Sequence, residues 1–378
     1  MRVLMTGGGT GGHVNPAIAI ANIIREREPE SEIAFVGSER GIENKLVPKE
    51  GYELFRIRIQ GIRRKLTLEN IKTLALAMKA VSDCKKIIRG FKPDIVIGTG
   101  GYVCWPVVKA AADMGIPTVL HESNAVPGFA VKMLEKYVDK IFVNFNETVG
   151  LIRYPDKAVR VGNPLRKEFS SLSYEESREK LGIAGKYRYF VLSCGGSMGA
   201  QRINSEVIGL MKDYTSKHPE ILHVHASGSI EFENMKKAFA QAGLDKCPNL
   251  QMLEYIYDMP VRMSAADVVI SRSGAMTLSE LAILGKAAVL IPSPNVTNDH
   301  QYKNAKVLGD ADAAIVYRES GLEEGTLTKA VESLIEDGEK RRSMQINIRR
   351  FAVSSASDII YKYIKDAVSA EETERLTK

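Results

Sequence analysis

Residues 2–16 read RVLMTGGGTGGHVNP, and the same order of elements recurs at 189–204 as YFVLSCGGSMGAQRIN. In each copy a short apolar run stops at glycines and a helix-like stretch follows. Such a run, bounded by glycine, reads as a fully buried strand, and the sequel reads as a helix. Pro16 falls near the expected first turn of the first helix. Outward from the first copy, EIAFVG, DIVIGTG, PTVLHES and KIFVNF supply further strands, with helical segments between several of them. Outward from the second, ILHVHASG, LQMLEYI, DVVISRSG, AAVLIPSP and AAIVY continue the rhythm. Strands alternating with helices imply parallel sheets that take ligands at the carboxyl ends of their strands. The fold class is therefore α/β, with two doubly wound domains. A hinge is expected at Asn163-Pro164, giving domains over 1–163 and 164–348, and a basic, helical tail from about Arg349.

The chain has 378 residues, 44% of them hydrophobic and 26% charged, enough for two domains with sizeable cores. Its start lacks a secretory pattern, and no apolar stretch approaches the roughly 20 residues of a membrane helix. The four cysteines, at 84, 104, 194 and 247, form no CxxC pair and read as buried thiols in a reducing cytoplasm. The net charge of +6 is concentrated: residues 56–92 carry eleven Lys and Arg against Glu69 and Asp83. A local basic excess calls for a local anionic partner. No aromatic interleaving or known motif accompanies it, so nucleic acid is not expected.

The glycine loops carry the chemistry. Backbone N–H groups at a helix N-terminus make an anion site. Gly7, Gly9 and Gly12 match the dinucleotide fingerprint, with Glu39 as the candidate ribose acid, so an NAD-dependent oxidoreductase is one reading. The extra glycines and the closing His13 fit that reading poorly, and a tight turn alone does not need five glycines. A second loop, GTGGYVCWP at 98–106, contains Gly100, Gly101 and Tyr102; a third, HESNAVPG at 121–128, contains Glu122 and Asn124. If their strands are parallel neighbours, the three loops converge on one crevice suited to a phosphate or pyrophosphate bearing a reacting hydroxyl. Taken singly, Asn124 also reads as a turn cap and Glu122 as a solvated loop residue. In the second half, the loop around Ser197 is another anion site. Glu280 of SRSGAMTLSE reads either as the end of a Thr277-x-x-Glu280 capping box or as an acceptor for two ribose hydroxyls. Asp310-x-Asp312 follows a helix-like run, and His223-x-His225 lacks a third ligand nearby. Both read as structural rather than as metal sites.

Six motifs in order, GGGTGGHVNPAIAIA, GTGGYVCWP, HESNAVPG, VGNPLR, GGSMGAQRIN and SRSGAMTLSE, closely resemble the MurG family of bacterial N-acetylglucosaminyltransferases. The resemblance runs from Met1 to about residue 350. It implies a GT-B fold, two Rossmann-like domains facing across a cleft, with a last helix over about 349–372 completing the first. It implies a donor, UDP-N-acetylglucosamine, held mostly by the second domain. Arg166 and Ser197 would contact its diphosphate, and Ile256 the uracil through its backbone. Ala275, Met276 and Thr277 would line diphosphate and ribose, Glu280 would take the ribose diol, and Gln301 the sugar hydroxyls. Thr10, Gly11, Gly12, His13, Tyr102, Glu122 and Asn124 match positions tied to acceptor and catalysis. The acceptor would be undecaprenyl-diphospho-N-acetylmuramoyl-pentapeptide, met at the cytoplasmic face of the membrane. No cofactor and no metal are implied. The chain departs from the family at His300-Gln301, where paired glutamines are frequent, and at Met198 and Gln201, where some members have Gln and Arg.

An α-linked donor and a β-linked product require inversion by one in-line displacement, with a base on the hydroxyl and stabilisation of the leaving diphosphate. His13 is the first candidate for the base, and Glu122 the second; His13 could instead hold the acceptor diphosphate. The basic stretch, with Leu66, Leu68, Leu74, Leu76 and Met78 among its cations, reads as a peripheral patch for anionic lipid or as a solvated helix face over a core stripe. Another GT-B transferase, with a different lipid or aglycone acceptor, shares the donor logic.

Overall fold

The computed structural model describes residues 1–61, 68–196 and 198–377, with 68–75 and 371–377 by backbone alone. Arg63, Arg64, Lys65, Leu66 and Ser197 lie outside the described residues, as do the side chains of Leu68, Lys72 and Leu74. The chain divides into two units, Met1–Leu165 with Ser355–Lys378, and Arg166–Ser354.

The first unit holds seven parallel strands: β1 (Arg2–Thr6), β2 (Glu32–Ser38), β3 (Glu53–Ile57), β4 (Ile95–Gly98), β5 (Thr118–Glu122), β6 (Lys140–Val143) and β7 (Ala158–Arg160). Their order is β3-β2-β1-β4-β5-β6-β7, which reverses direction between β1 and β4. The period of two sorts the side chains onto two faces. Leu4, Val36, Val96, Leu120 and Ile141 pack on one, against Ala80, Cys84 and Ile88 of the helix Leu68–Phe91. Val3, Met5, Phe35, Ile95, Ile97 and Phe142 pack on the other, under the first helix, Gly11–Arg27. That face also receives Ile360, Ile364 and Val368 from the last helix, Ala356–Thr377. Complete burial of such a side chain contributes about 1.5–3 kcal/mol. Both faces are covered, so the central strands are apolar throughout and do not alternate with polar residues.

The second unit repeats the plan with β8 (Tyr189–Cys194), β9 (Ile221–Ala226), β10 (Leu250–Leu253), β11 (Val268–Ser271), β12 (Ala287–Leu290) and β13 (Ile315–Val316), in the order β10-β9-β8-β11-β12-β13. All neighbours are parallel, and the direction reverses between β8 and β11.

Several local expectations are corrected. β3 and β7 were not anticipated: β3 is an edge strand and β7 has three half-buried residues, so neither shows a continuous apolar run. Pro16 sits in the second turn of its helix, where it offers no N–H to the Gly12 carbonyl. The tail does not form one helix from about 349. A helix ends at Arg349 and the last one begins at Ala356. All four cysteines are free thiols, but Cys194 and Cys247 are only half-buried. Among the described residues no helix is long and apolar enough to cross a membrane.

Candidate active site

Because β1, β4 and β5 are neighbours, the loops that follow them lie side by side at one sheet edge. The first is held from three sides. Gly8 N donates to Gly100 O (3.3 Å), and Thr99 Oγ1 donates to His13 O (2.7 Å). Gly101 has φ +84°, and a Cβ there would overlap the Gly8 carbonyl oxygen. The first loop is thus stitched to the β4 loop by backbone, across the point where strand order reverses.

The third anchor is Glu43, which sequence reading missed. Its carboxylate is 1% exposed and accepts from Gly9 N (3.0 Å), Ser38 N (2.9 Å) and Ser38 Oγ (2.6 Å). Burial raises its pKa, but the hydrogen bonds from Ser38 and Gly9 outweigh it and hold the carboxyl below its usual range. Tyr102 completes the clamp, donating from its hydroxyl to Ser38 Oγ (3.0 Å) while its ring faces the bare Cα of Gly9.

His13 is in the first turn of the helix that Thr10 opens. Its Nδ1 lies 3.2 Å from both Gly8 O and Thr10 Oγ1. A carbonyl only accepts, so the contact with Gly8 puts the ring proton on Nδ1 and leaves Nε2 as an acceptor. The Nε2 edge of the ring lies against Gly100, which has no side chain to cover it.

Glu122, at the end of β5, is buried and already engaged. Oε1 accepts from Asn124 N (2.9 Å) and Asn124 Nδ2 (3.0 Å), and Oε2 accepts from Gly128 N (2.7 Å). Burial pushes its carboxyl above the usual range, and the bonds from Gly128 and Asn124 only partly offset this. The geometry makes Glu122 and Asn124 the clasp of the third loop.

The second unit arranges its loops differently. The β8 loop leans toward β9, away from β11. Gly199 (φ +87°) and Gly228 (φ +82°) meet backbone to backbone, and a Cβ on Gly199 would overlap Ser227 O. Behind this contact runs a buried polar row. Thr215 Oγ1 is 3.2 Å from His223 Nδ1; Ser193 Oγ is 2.9 Å from both His223 Nε2 and His225 Nδ1. His225 Nε2 reaches Asn204 Oδ1 (3.0 Å), and Asn204 Nδ2 donates to Ser227 O (2.9 Å). Burial lowers both histidines, His225 to about 4 and His223 well below its ordinary value.

Ala275, Met276 and Thr277 form the first turn of the helix Ala275–Leu284, after β11. Its N-cap is Gly274, with no side-chain cap, so the capping-box reading of Thr277 and Glu280 fails. Glu280 is half-buried near Cys194 and feels the attraction of Arg166. Burial nevertheless raises its carboxyl to about 7. Gln301 accepts from Ser293 N through Oε1 (2.9 Å), which leaves its amide NH2 to donate, and its backbone O accepts from Ser273 Oγ (2.9 Å). His300 Nδ1 is 2.9 Å from Thr297 O. Just before it, Asn298 (φ 61°) and Asp299 (φ 52°) are both left-handed, a strained pair of a kind that collects at ligand loops. Arg272, also missed, ties this region together by donating to Ile291 O and Pro292 O (both 3.1 Å) and pairing with Glu319 (2.5 Å). Ile256 is buried between exposed Tyr255 and Tyr257. Asp310 ends a helix paired with Lys306 (2.7 Å).

Known proteins agree with this two-part layout. The glycosyltransferase family 28 N-terminal domain matches residues 3–143, and the family 28 C-terminal domain matches 190–360. A protein of Acetivibrio thermocellus, named UDP-N-acetylglucosamine--N-acetylmuramyl-(pentapeptide) pyrophosphoryl-undecaprenol N-acetylglucosamine transferase, is 42% identical over 366 residues, covering 97% of this chain and 98% of that one. This chain belongs to the MurG family. A Bacillus licheniformis protein of the same name is 39% identical, over 97% of this chain and 98% of its own length. The crystal structure of Acinetobacter baumannii MurG matches with a TM-score of 0.78 at 29% identity, over 97% of this chain and 99% of that one. An S. aureus MnaA–UDP structure, at 14% identity and TM-score 0.65, covering 97% of this chain and 96% of that one, shares the fold. The two parallel-sheet units are thus those of a GT-B MurG-type transferase.

Proposed function

We infer that the protein transfers N-acetylglucosamine from UDP-N-acetylglucosamine to the 4-hydroxyl of the muramoyl sugar of undecaprenyl-diphospho-N-acetylmuramoyl-pentapeptide, in peptidoglycan synthesis. The observation that carries this reading is the near-complete match to transferases of that name. The two strand-reversal points support the division of labour. Ligands of open α/β sheets enter at such points. In the first unit the chain's own backbone bridges it, between Gly8 and Gly101. In the second the β8 loop leans the other way, onto β9, so the donor nucleotide belongs there. Arg166 and the loop amides bind its diphosphate, with Ser197 assigned to it by the family resemblance alone; Ala275–Thr277 line diphosphate and ribose, Ile256 meets the uracil, Glu280 accepts the ribose diol, and the Gln301 amide donates to the sugar.

The acceptor belongs to the first unit, with its diphosphate over the amides of Thr10–Gly12 and of Gly100-Gly101. His13 Nε2 takes the proton of the 4-hydroxyl as its oxygen bonds to C1. The C1–O bond to the diphosphate breaks, and its electron pair leaves with UDP, stabilised by Arg166 and the helix N-termini. Glu122 serves by holding the 122–128 loop. His13→Ala is expected to lower kcat by about 10²–10⁴-fold with donor KM little changed. Normal kcat with only a raised KM would sink the base assignment.

Peripheral attachment to the cytoplasmic membrane face completes the reading. Exposed Phe129, Met133 and Tyr137 follow one another at helical spacing, and Lys132 and Lys136 flank them. Met78, in the basic stretch 56–92, is also exposed. Anionic lipid attracts such cations by about 1 kcal/mol each. Flotation with anionic vesicles should weaken as salt rises; absent or salt-insensitive binding would reject this attachment.

A further inference from the structure

The second unit has a cavity of about 640 Å³ that the transfer reaction does not use. Its wall includes Asp267 and Lys286, which immediately precede β11 and β12, whereas the donor loops follow those strands. Four strand residues separate the two ends, roughly 13 Å. The cavity is therefore at the opposite edge of the sheet from the donor loops.

Its chemistry is one-sided. Arg341, Gln345 and Arg349 recur every four residues along the helix Gly338–Arg349, on one face, and Arg342 stands beside them. Arg341 Nη1 donates to Ile335 O (3.1 Å) and Leu334 O, and Arg349 Nη2 donates to Leu284 O (3.4 Å). Lys286, 5% exposed, donates to Ser264 O (2.6 Å) and Ala266 O (3.0 Å). Carbonyls orient these groups without cancelling their charge. Among the described residues none of the three arginines pairs with a carboxylate. Of the two acids on the wall, Asp267 is committed to Phe190 N (2.8 Å), Tyr174 OH (3.1 Å) and Arg178 (3.5 Å), and Glu175 is exposed; both attract Lys286 rather than the three arginines. Gly285 (φ +62°) is where the Arg349 guanidinium rests, and a Cβ there would overlap it. Positive charge concentrated in a concavity focuses an attractive potential on anions.

We propose that this cavity is a second anion site that binds a phosphate or diphosphate group through the Arg341, Arg342 and Arg349 guanidiniums. Planar guanidinium forks match phosphate oxygens, and the volume suits a small ligand. The group can come from a free phosphate compound or from a phospholipid headgroup. Two arms separate these sources. In the first, the full-length protein is saturated with UDP to occupy the donor site and titrated with pyrophosphate by calorimetry at low salt. In the second, it is floated with phosphatidylglycerol or phosphatidylcholine vesicles. Arg342 is exposed and its side chain makes no hydrogen bond or ion pair among the described residues, so Arg342→Glu and Arg342→Gln should leave the melting temperature unchanged. Wild type should bind pyrophosphate or the anionic vesicles, and Arg342→Glu should weaken that binding roughly tenfold or more, with Arg342→Gln intermediate. An effect on pyrophosphate identifies the free anion, and an effect on the vesicles alone identifies the headgroup. If the variants match wild type in both arms, the proposal is overturned.

Discussion

Replacing Glu43 by Gln tests whether the glycine loop is positioned from outside itself. The carboxylate has two acceptor atoms and serves three donors, Gly9 N, Ser38 N and Ser38 Oγ, in a site with 1% exposure. A glutamine keeps one oxygen. Its NH2 must then face either Gly9 N–H or the Ser38 pair, donor against donor. A buried donor left unsatisfied costs about 1–3 kcal/mol, and the lost bonds are charge-assisted, so Glu43→Gln should cost about 2–3 kcal/mol. For a unit of this size that is roughly 4–12 °C of melting temperature. The functional effect is separable. Gly9 lies between Gly8, whose carbonyl orients His13, and Thr10, which opens the helix; a shift of about 1 Å there can cost about 10²-fold in rate. Donor binding belongs to the other unit, so kcat should fall with donor KM nearly constant. The assay is calorimetry together with steady-state kinetics on a lipid-linked acceptor. A variant that melts like wild type would refute the hydrogen-bond account. One that melts lower but turns over normally would refute the link from Glu43 to His13.

Gly101→Ala, at φ +84° against the Gly8 carbonyl, should destabilise by about 3 kcal/mol or more. Gly90→Ala, in a helix with nothing near its Cβ, should stabilise by about 0.5–1 kcal/mol; equal melting temperatures for the two would contradict this. His121 and His225, held at about 4 by burial, bind protons in the unfolded chain first. Stability should therefore be intact above pH 6.5 and fall from there to about pH 4, by about 3 kcal/mol for each, and urea melts of His225→Gln that keep the full slope would count against this. Glu280, raised to about 7, accepts hydroxyls best as the carboxylate. UDP affinity should drop as pH falls below about 7, and Glu280→Gln should bind more weakly above that pH and lack the dependence; an unaltered pH profile in Glu280→Gln would exclude the role.

The two sheets were legible because buried parallel strands are continuous apolar runs that end in glycine. β3 and β7 were not, because half-exposed edge strands lack that signature. Motifs pointed to His13, but its tautomer depends on the Gly8 carbonyl, which only the turn geometry brings to Nδ1. Glu43 was invisible for a different reason: its partner Gly9 is 34 residues away, and nothing local distinguishes it from a surface glutamate. Glu280 was ambiguous because a capping box is defined by where the helix starts, and that start proved to be Gly274, not Thr277.

The first unit is discontinuous, and this governs the order in which the protein can be completed during synthesis. The second unit, Arg166–Ser354, is contiguous and can close its core without the tail. The first has all seven strands early, but the face beneath Gly11–Arg27 lacks Ile360, Ile364 and Val368 until the final helix emerges. Tyr361 and Lys365, which bond Glu28 (2.8 and 2.5 Å), arrive equally late. The half of the protein made first is finished last: part of its apolar face waits for the last helix, and a truncation that removes Ile360, Ile364 and Val368 damages the fold that begins at residue 1.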